Sequence, residues 1–394
     1  MEPRETIAAR LGESGADPHD SSTLVVGRPN LGDRLRFLER VEDILDCRWL
    51  SNGGKYVQQF ESRVSEFLGV SHCIAMCNAT VGLEIAIRAL GLRGEVIVPS
   101  FTFVATAHAL QWQEITPVFC DVDPVTHNID PAQVEKLITP RTTGILAVHL
   151  WGRGCDVVSL EAVARHHQLR LMYDASHAFG CTHGDRMIGG FGDAEVFSFH
   201  ATKFINTLEG GVVTTNNASL ANRIRQMKNF GFTGYDQVDN LGINGKMNEI
   251  SAAMGLTNLE AIDSFVAANL ANHDAYREEL AGVPGLELLS YDNQKRHNYQ
   301  YLVVDVDQNK AHVTRDDILK ELHEHDILAR RYFYPGCHRL QPYLNERPNA
   351  GVLLPETEKL ASRLICLPTG STVERADIHR VCQVVREVLN RAKR

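Results

Sequence analysis

Long apolar runs are missing from this 394-residue chain. None approaches the roughly 20 residues that a membrane-spanning helix needs, so no membrane partner is expected. The opening stretch MEPRETIAARLGESGADPHDSS has no apolar segment and reads as a loose terminal segment rather than a secretion signal. A basic surplus is missing too. Lys and Arg total 40 against 49 Asp and Glu, for a net charge of −9, which argues against nucleic acid as a partner. The nine cysteines form no CxxC pair, and their odd number fits reduced thiols in a cytoplasm. The 17 histidines hold no HExxH spacing, so no metal is expected. A phosphate-binding P-loop fails at its first glycine, because Asn240 stands where Gly245-Lys246 would require it. The GxGxxG turn of a nicotinamide-binding fold is absent after the first strand, and there is no repeat or low-complexity tract.

What is present is a strand and helix alternation. Residues 34–48 and 55–68 have the apolar spacing of amphipathic helices. Short apolar runs then follow at 73–76, 95–99, 115–122, 143–150, 169–174, 195–199 and 211–215, with helical patterns at 81–90 and 157–167. This alternation predicts an α/β fold whose central sheet is mostly parallel, with ligands at the carboxyl ends of its strands. Long helices are expected over 246–282, then a smaller α/β region with a strand at 299–306 and helices at 313–323 and 373–392. The length suits more than one domain. We divide the chain into a flexible N-terminal segment at 1–25, a large domain at 26–265 and a small C-terminal domain at 266–394.

Two stretches carry chemistry. MYDASHAFG, 172–180, ends an apolar run on Asp174, and FSFHATKFINTLEGG, 197–211, holds Lys203 five residues after Ser198. Pyridoxal phosphate needs a lysine amine for its aldehyde, an anion for its ring nitrogen and donors for its phosphate. Lys203 and Asp174 meet the first two needs. His177 could hold Asp174 or the cofactor's phenolic oxygen. Asn78-Ala79-Thr80 opens a helix, where free amides and the helix dipole favour phosphate, and Ser198 adds a hydroxyl. Phe103 could stack on the ring. Each has a plainer reading: a surface lysine, helix caps at Asp174 and Asn78, and a core phenylalanine.

CNATVGLEIAIRAL, VPSFTFVATAHAL, YDASHAFG, FSFHATKFINTLEGG, GINGKMNEISAAMG and YFYPGCHRLQPY, in this order, resemble the DegT/StrS family of sugar aminotransferases over nearly the whole chain. The resemblance implies the fold-type I architecture of pyridoxal phosphate enzymes: a large domain on a mostly parallel sheet and a smaller C-terminal α/β domain. It implies that Lys203 bears the cofactor, Asp174 faces the ring nitrogen and His177 the cofactor's oxygen. Ala79, Thr80 and Ser198 hold the phosphate, and Phe103 covers the ring. Asn244 reaches the phosphate from the second subunit of a homodimer. Some relatives carry histidine at the lysine position and act as dehydratases, so Lys203 favours transamination.

FHATKFINTLEGG and YFYPGCHRL resemble the members that aminate carbon 4. That implies amino transfer from L-glutamate, through pyridoxamine phosphate, to a nucleotide-linked 4-keto-6-deoxy sugar. TDP-4-keto-6-deoxy-D-glucose, giving TDP-4-amino-4,6-dideoxy-D-glucose, is the expected substrate. A sugar 3-aminotransferase or an inosose aminotransferase, and outside enzymes a pyridoxal phosphate-binding regulator, are the alternatives. The sugar diphosphate needs donors, and Arg330, Arg331, Tyr332 and His338 are the candidates, with arginine forks suited to phosphate. Arg330 and Arg331 read equally as a solvated strand end. Trp151 is a candidate for the sugar or for the core. His200 is an additional acid–base candidate near Lys203.

Overall fold

The computed structural model describes residues 23–346 and 353–392. Seven strands form the central sheet: β1 (His72–Met76), β2 (Glu95–Pro99), β3 (Thr116–Cys120), β4 (Thr142–Val148), β5 (Arg170–Asp174), β6 (Ala194–Ser198) and β7 (Gly211–Thr215). Their spatial order is β1-β7-β6-β5-β4-β2-β3. The pairs β2–β3, β2–β4, β4–β5 and β5–β6 are parallel, and β7 alone runs against both its neighbours. The expected α/β architecture is thus present, and each apolar run became a strand. The run at 115–122 is shorter because Val122 leaves the sheet to bridge Ile129. The run at 143–150 ends at Val148, where the chain turns through Leu150–Gly152.

The strands are buried on both faces, and alternation along each one divides the core. Ile145 and Ala147 of β4 and Val212 of β7 point to one apolar cluster. Leu146 and Val213, their chain neighbours, point to the other. Helices α1 (Arg34–Cys47) and α2 (Lys55–Leu68) cover the first cluster. Helix α2 turns Tyr56, Val57, Phe60, Val64 and Leu68 inward, at the spacing of one helical face. It ends at Gly69, whose φ of 65° is open to a residue without Cβ. Helix α3 (Ala79–Ala89) covers the second cluster with Leu83, Ile87 and Ala86.

The expected long helices are α4 (Glu249–Glu260) and α5 (Ile262–Leu280), broken at Ala261. Ile262 and Phe265 of α5 pack in the first cluster, and Ala275, Tyr276 and Leu280 in a third. That third core lies among the strands Leu286–Leu288, Leu302–Val306 and Leu364–Leu367 and the helices Arg315–Glu324 and Arg375–Ala392. A fourth cluster joins the strand ends to this C-terminal part, with Phe101, Val148 and Trp151 against Tyr301, Val303 and Phe333.

Residues 1–22 of the expected loose segment lie outside the described residues. Its last part is corrected: Leu24–Val25 is a strand parallel to Ile327–Leu328, with Leu24 buried in the third core. A two-residue strand whose partner lies about 300 residues away leaves no local sequence signal.

Candidate active site

Strand register assembles one edge of the sheet. Gly211, the first residue of β7, pairs with Met76 on one side and with Ser198 on the other. With strands spaced about 4.8 Å apart, the end of β1 and Ser198 lie about 10 Å apart. Helix α3 starts just past Met76. Asn78 is its N-cap and accepts from the Val81 amide at 2.8 Å, as the plainer reading had it. The amides of Ala79 and Thr80 have no acceptor among the described residues. A Cβ on Gly211 would stand 2.8 Å from the Ala79 nitrogen and 2.8 Å from the Phe197 oxygen, so only glycine lets β7 come this close to the helix start.

Asp174 ends β5, opposite Val148 and Val196. Its side chain is 5% exposed. One oxygen accepts from Thr106 Oγ1 at 2.9 Å and the other from the Ser176 amide at 3.0 Å. Thr106 in turn lies 3.1 Å from Thr102. Among the described residues no cation is hydrogen-bonded to this buried carboxylate, and a buried charge calls for one.

Lys203 lies in the loop between β6 and β7. Its amide donates to the His200 carbonyl at 2.9 Å. Asn30 secures the next residues. It donates to the Phe204 carbonyl at 3.0 Å, accepts from Asn206 at 2.8 Å, and accepts from the Ser371 amide and hydroxyl at 2.9 and 2.7 Å. The Lys203 amine donates to the Tyr301 hydroxyl at 3.2 Å. Burial pushes the amine down to about 8, against the upward pull of the Asp174 charge.

His177 is buried between rings, stacked on Phe333 with centroids 5.7 Å apart and tilted against Tyr301 at 4.5 Å. Burial, with the Lys203 charge adding to it, holds its pKa well below the usual histidine value, so the ring is neutral at physiological pH. Its Nδ1 accepts from the Trp151 amide at 3.4 Å, which leaves the proton on Nε2 as a donor.

The other candidates divide. Phe103, 56% exposed, opens the helix Val104–Gln111, with its ring 6.5 Å from that of Phe333. Ser198 is half-buried at the strand end. His200 is exposed, its ring engaged by Thr202 at 2.9 Å and by Glu209 at 3.5 Å rather than by the Lys203 amine. Asn244 is exposed, next to Gly245, whose carbonyl accepts from the Cys77 amide beside the α3 start. Arg330 pairs through its backbone with Cys366. Arg331 is exposed, bonded to Asp316 at 3.2 Å and lying over the Tyr334 ring. Tyr332 stacks on Phe333.

Two substrate candidates are corrected. His338 is 1% exposed and both ring nitrogens are engaged, by Ser100 at 2.7 Å and Glu358 at 2.8 Å. Trp151 is 0% exposed, stacked on Phe333 and donating to His127 at 3.2 Å. Neither has surface to offer a ligand; both are packing residues behind the site.

Tyr301, Thr106 and Phe333 were missed. Thr106 falls in the quoted stretch VPSFTFVATAHAL, after a strand end, and could have been weighed as a partner for Asp174. Tyr301 had no signal, since the fourth cluster alone brings it to Lys203.

The model of the DegT/DnrJ/EryC1/StrS aminotransferase family matches residues 33–386. The dTDP-4-amino-4,6-dideoxy-D-glucose transaminase of Shigella dysenteriae is 36% identical over 365 residues, 93% of this chain and 99% of that protein. The GDP-perosamine synthase of Caulobacter vibrioides is 34% identical over 384 residues, 94% of this chain and 99% of that one. The crystal structure of DesI in the presence of its TDP-sugar product superposes with a TM-score of 0.90 at 47% identity, covering 98% of this chain and 96% of that one. No helix among the described residues is long and apolar enough to cross a membrane.

Proposed function

The chain belongs to the DegT/DnrJ/EryC1/StrS aminotransferase family, and from that premise we propose that it moves an amino group from L-glutamate to carbon 4 of TDP-4-keto-6-deoxy-D-glucose. The product is TDP-4-amino-4,6-dideoxy-D-glucose. The reading rests on one observation: the Lys203 amine, which feels the Asp174 charge, and the open Ala79 and Thr80 amides lie at the same ends of the central strands. The likeness to a transaminase named for that sugar and to DesI with its TDP-sugar supplies the substrate.

Pyridoxal phosphate fits these residues. Lys203 suits its aldehyde, and Asp174, a buried carboxylate with uncharged donors, suits a protonated ring nitrogen. The Ala79 and Thr80 amides with Ser198 suit the phosphate, Phe103 the ring face, and the neutral His177 the phenolic oxygen through its Nε2 proton. When bound, the cofactor stabilises the carbanion left by proton removal and carries the amino group from donor to acceptor.

The chain's own residues do the rest. Lys203 takes the proton from the α-carbon of L-glutamate, and later gives one to carbon 4 of the sugar. An amine held near 8 serves both directions at neutral pH. Thr106 and Ser176 fix Asp174 so that its charge does not wander toward the amine. Arg330, Arg331 and Tyr332 remain the candidates for the diphosphate.

The active unit is a homodimer in this reading. Leu31, Leu35, Leu38, Leu45, Trp49 and Leu50 are exposed along and beside α1, and apolar side chains grouped on a surface suit a protein–protein contact. A second copy would cover it and bring Asn244 to the phosphate. The cytoplasm suits the nine free cysteines.

The test is spectroscopic. The loaded protein's absorption near ~420 nm, expected of cofactor bound through lysine, falls on adding L-glutamate and returns with TDP-4-keto-6-deoxy-D-glucose. A guanosine-linked sugar is the second reading, favoured by the likeness to GDP-perosamine synthase. Return of the band with the GDP-sugar alone would establish it and discard thymidine. Absence of any band after reconstitution would overturn the whole reading.

A further inference from the structure

We infer that Tyr301 is a positioning residue for the catalytic lysine: its hydroxyl holds the Lys203 amine and sets the balance between the charged and neutral forms. The inference rests on the reading of Lys203 as the reacting amine. Its geometry stands without that reading.

The Lys203 amine has one hydrogen-bond partner among the described residues, the Tyr301 hydroxyl at 3.2 Å. Tyr301 is 8% exposed and comes from a part of the chain 98 residues away. It is fixed on every side. Its carbonyl accepts from the Tyr291 hydroxyl at 3.0 Å, and its ring packs on His177 at 4.5 Å and Trp151 at 5.2 Å. A rigid phenol offers the amine one direction. Burial raises its own pKa well above the usual tyrosine range, so it stays neutral. A neutral phenol can accept from the ammonium or donate to the free amine, and serves both states.

The two bonds are unequal. An ionised donor makes the stronger hydrogen bond, so Tyr301 favours the charged lysine. It works with Asp174, whose charge pulls the same way, and against burial. The other titratable groups around the amine are the neutral His177 and, on the outer side of the loop, His200 with Glu209. Tyr301→Phe keeps the ring contacts and removes only the acceptor.

The experiment uses the full-length apoprotein. Lys203 is labelled with trace acetic anhydride across a pH series, and its acylation is read by mass spectrometry of the peptide that contains it. In Tyr301→Phe the midpoint should fall by about one unit, the size of losing one charge-assisted bond. Tyr291→Phe is the comparison, since its hydroxyl supports the Tyr301 backbone and does not touch the amine. It should leave the midpoint in place. In the loaded enzyme the acid limb of the glutamate half-reaction should move down with it. An unchanged midpoint in folded Tyr301→Phe overturns the inference, as does an equal shift in Tyr291→Phe. Should Tyr301→Phe fail to fold, 3-fluorotyrosine at 301 keeps the contact but weakens the acceptor. A smaller drop is then expected, and no drop would overturn it. The labelling needs no cofactor, so a failed absorption test with a shifted midpoint would discard the cofactor reading and keep the contact.

Discussion

Two segments approach the site, and they differ in what built them. Asp174 to His177 leaves the end of a buried parallel strand, and Asp174 and His177 both lie within electrostatic reach of the Lys203 amine. Arg330 to His338 belongs to no long element, and its histidine is swallowed between Ser100 and Glu358. The first segment inherits its placement from the sheet, because strand register fixes where Asp174 stands, opposite Val148 and Val196. The second takes its placement from what packs around it. A polar residue there is as easily a strut as a ligand contact.

Variants can break or sharpen that contrast. The largest effect belongs to Lys203→Ala, which should lower turnover by at least ~10⁴-fold in steady-state assays, since in the proposed function the lysine both holds the cofactor and moves the proton. Asp174→Asn should follow, with kcat down about 10²–10³-fold, the scale of losing one fixed electrostatic partner, while its melting temperature stays close to wild type. His338→Gln should show the reverse split. It leaves Ser100 and Glu358 without full partners, a loss of about 1–3 kcal/mol in denaturant unfolding, with kcat/KM changed less than about three-fold. A His338→Gln protein of normal stability and poor turnover would erase the distinction between the two segments.

The last effect is a matter of pH. Lys203 is pushed from 10.5 in the open chain to about 8 when folded. Between those values the unfolded chain binds more protons than the folded one, so stability rises with pH across that window. Lys203→Met lacks the term. The apo variant should therefore be more stable than the apo wild type below pH 8, and the gap should close toward pH 10.5. A gap that is constant with pH would mean that the folded amine titrates normally.

The same contrast explains what could be read from the sequence. Every central strand was legible, because a sheet buried on both faces demands apolar runs of strand length. Lys203, Asp174 and the α3 start were legible because each lies at or within a few residues of the end of such a run. Trp151 also follows one, in the turn after β4, yet it folds back under His177. Following a strand fixes where a residue begins, not which way its side chain turns. Thr106 sits seven residues past the strand end at Pro99, in the first turn of the helix Val104–Gln111, so its reach to Asp174 depends on how the helix lies. Tyr301 depends on the whole C-terminal part being docked. The pairing of Leu24–Val25 with Ile327–Leu328 depends on it too, and no short window of sequence carries that information.

Asn30 has a consequence for how the chain is made. Its side-chain oxygen waits for Ser371, 341 residues later, while its other bonds hold the lysine loop. A ribosome delivers Asn30 early and Ser371 late. During most of synthesis the central sheet can form, but the clasp over Phe204 and Asn206 lacks its last partner. The lysine loop is therefore among the last parts to be secured, and contacts of such long sequence separation form slowly. A nascent chain stalled before Ser371 should carry a formed sheet and an unfastened lysine loop.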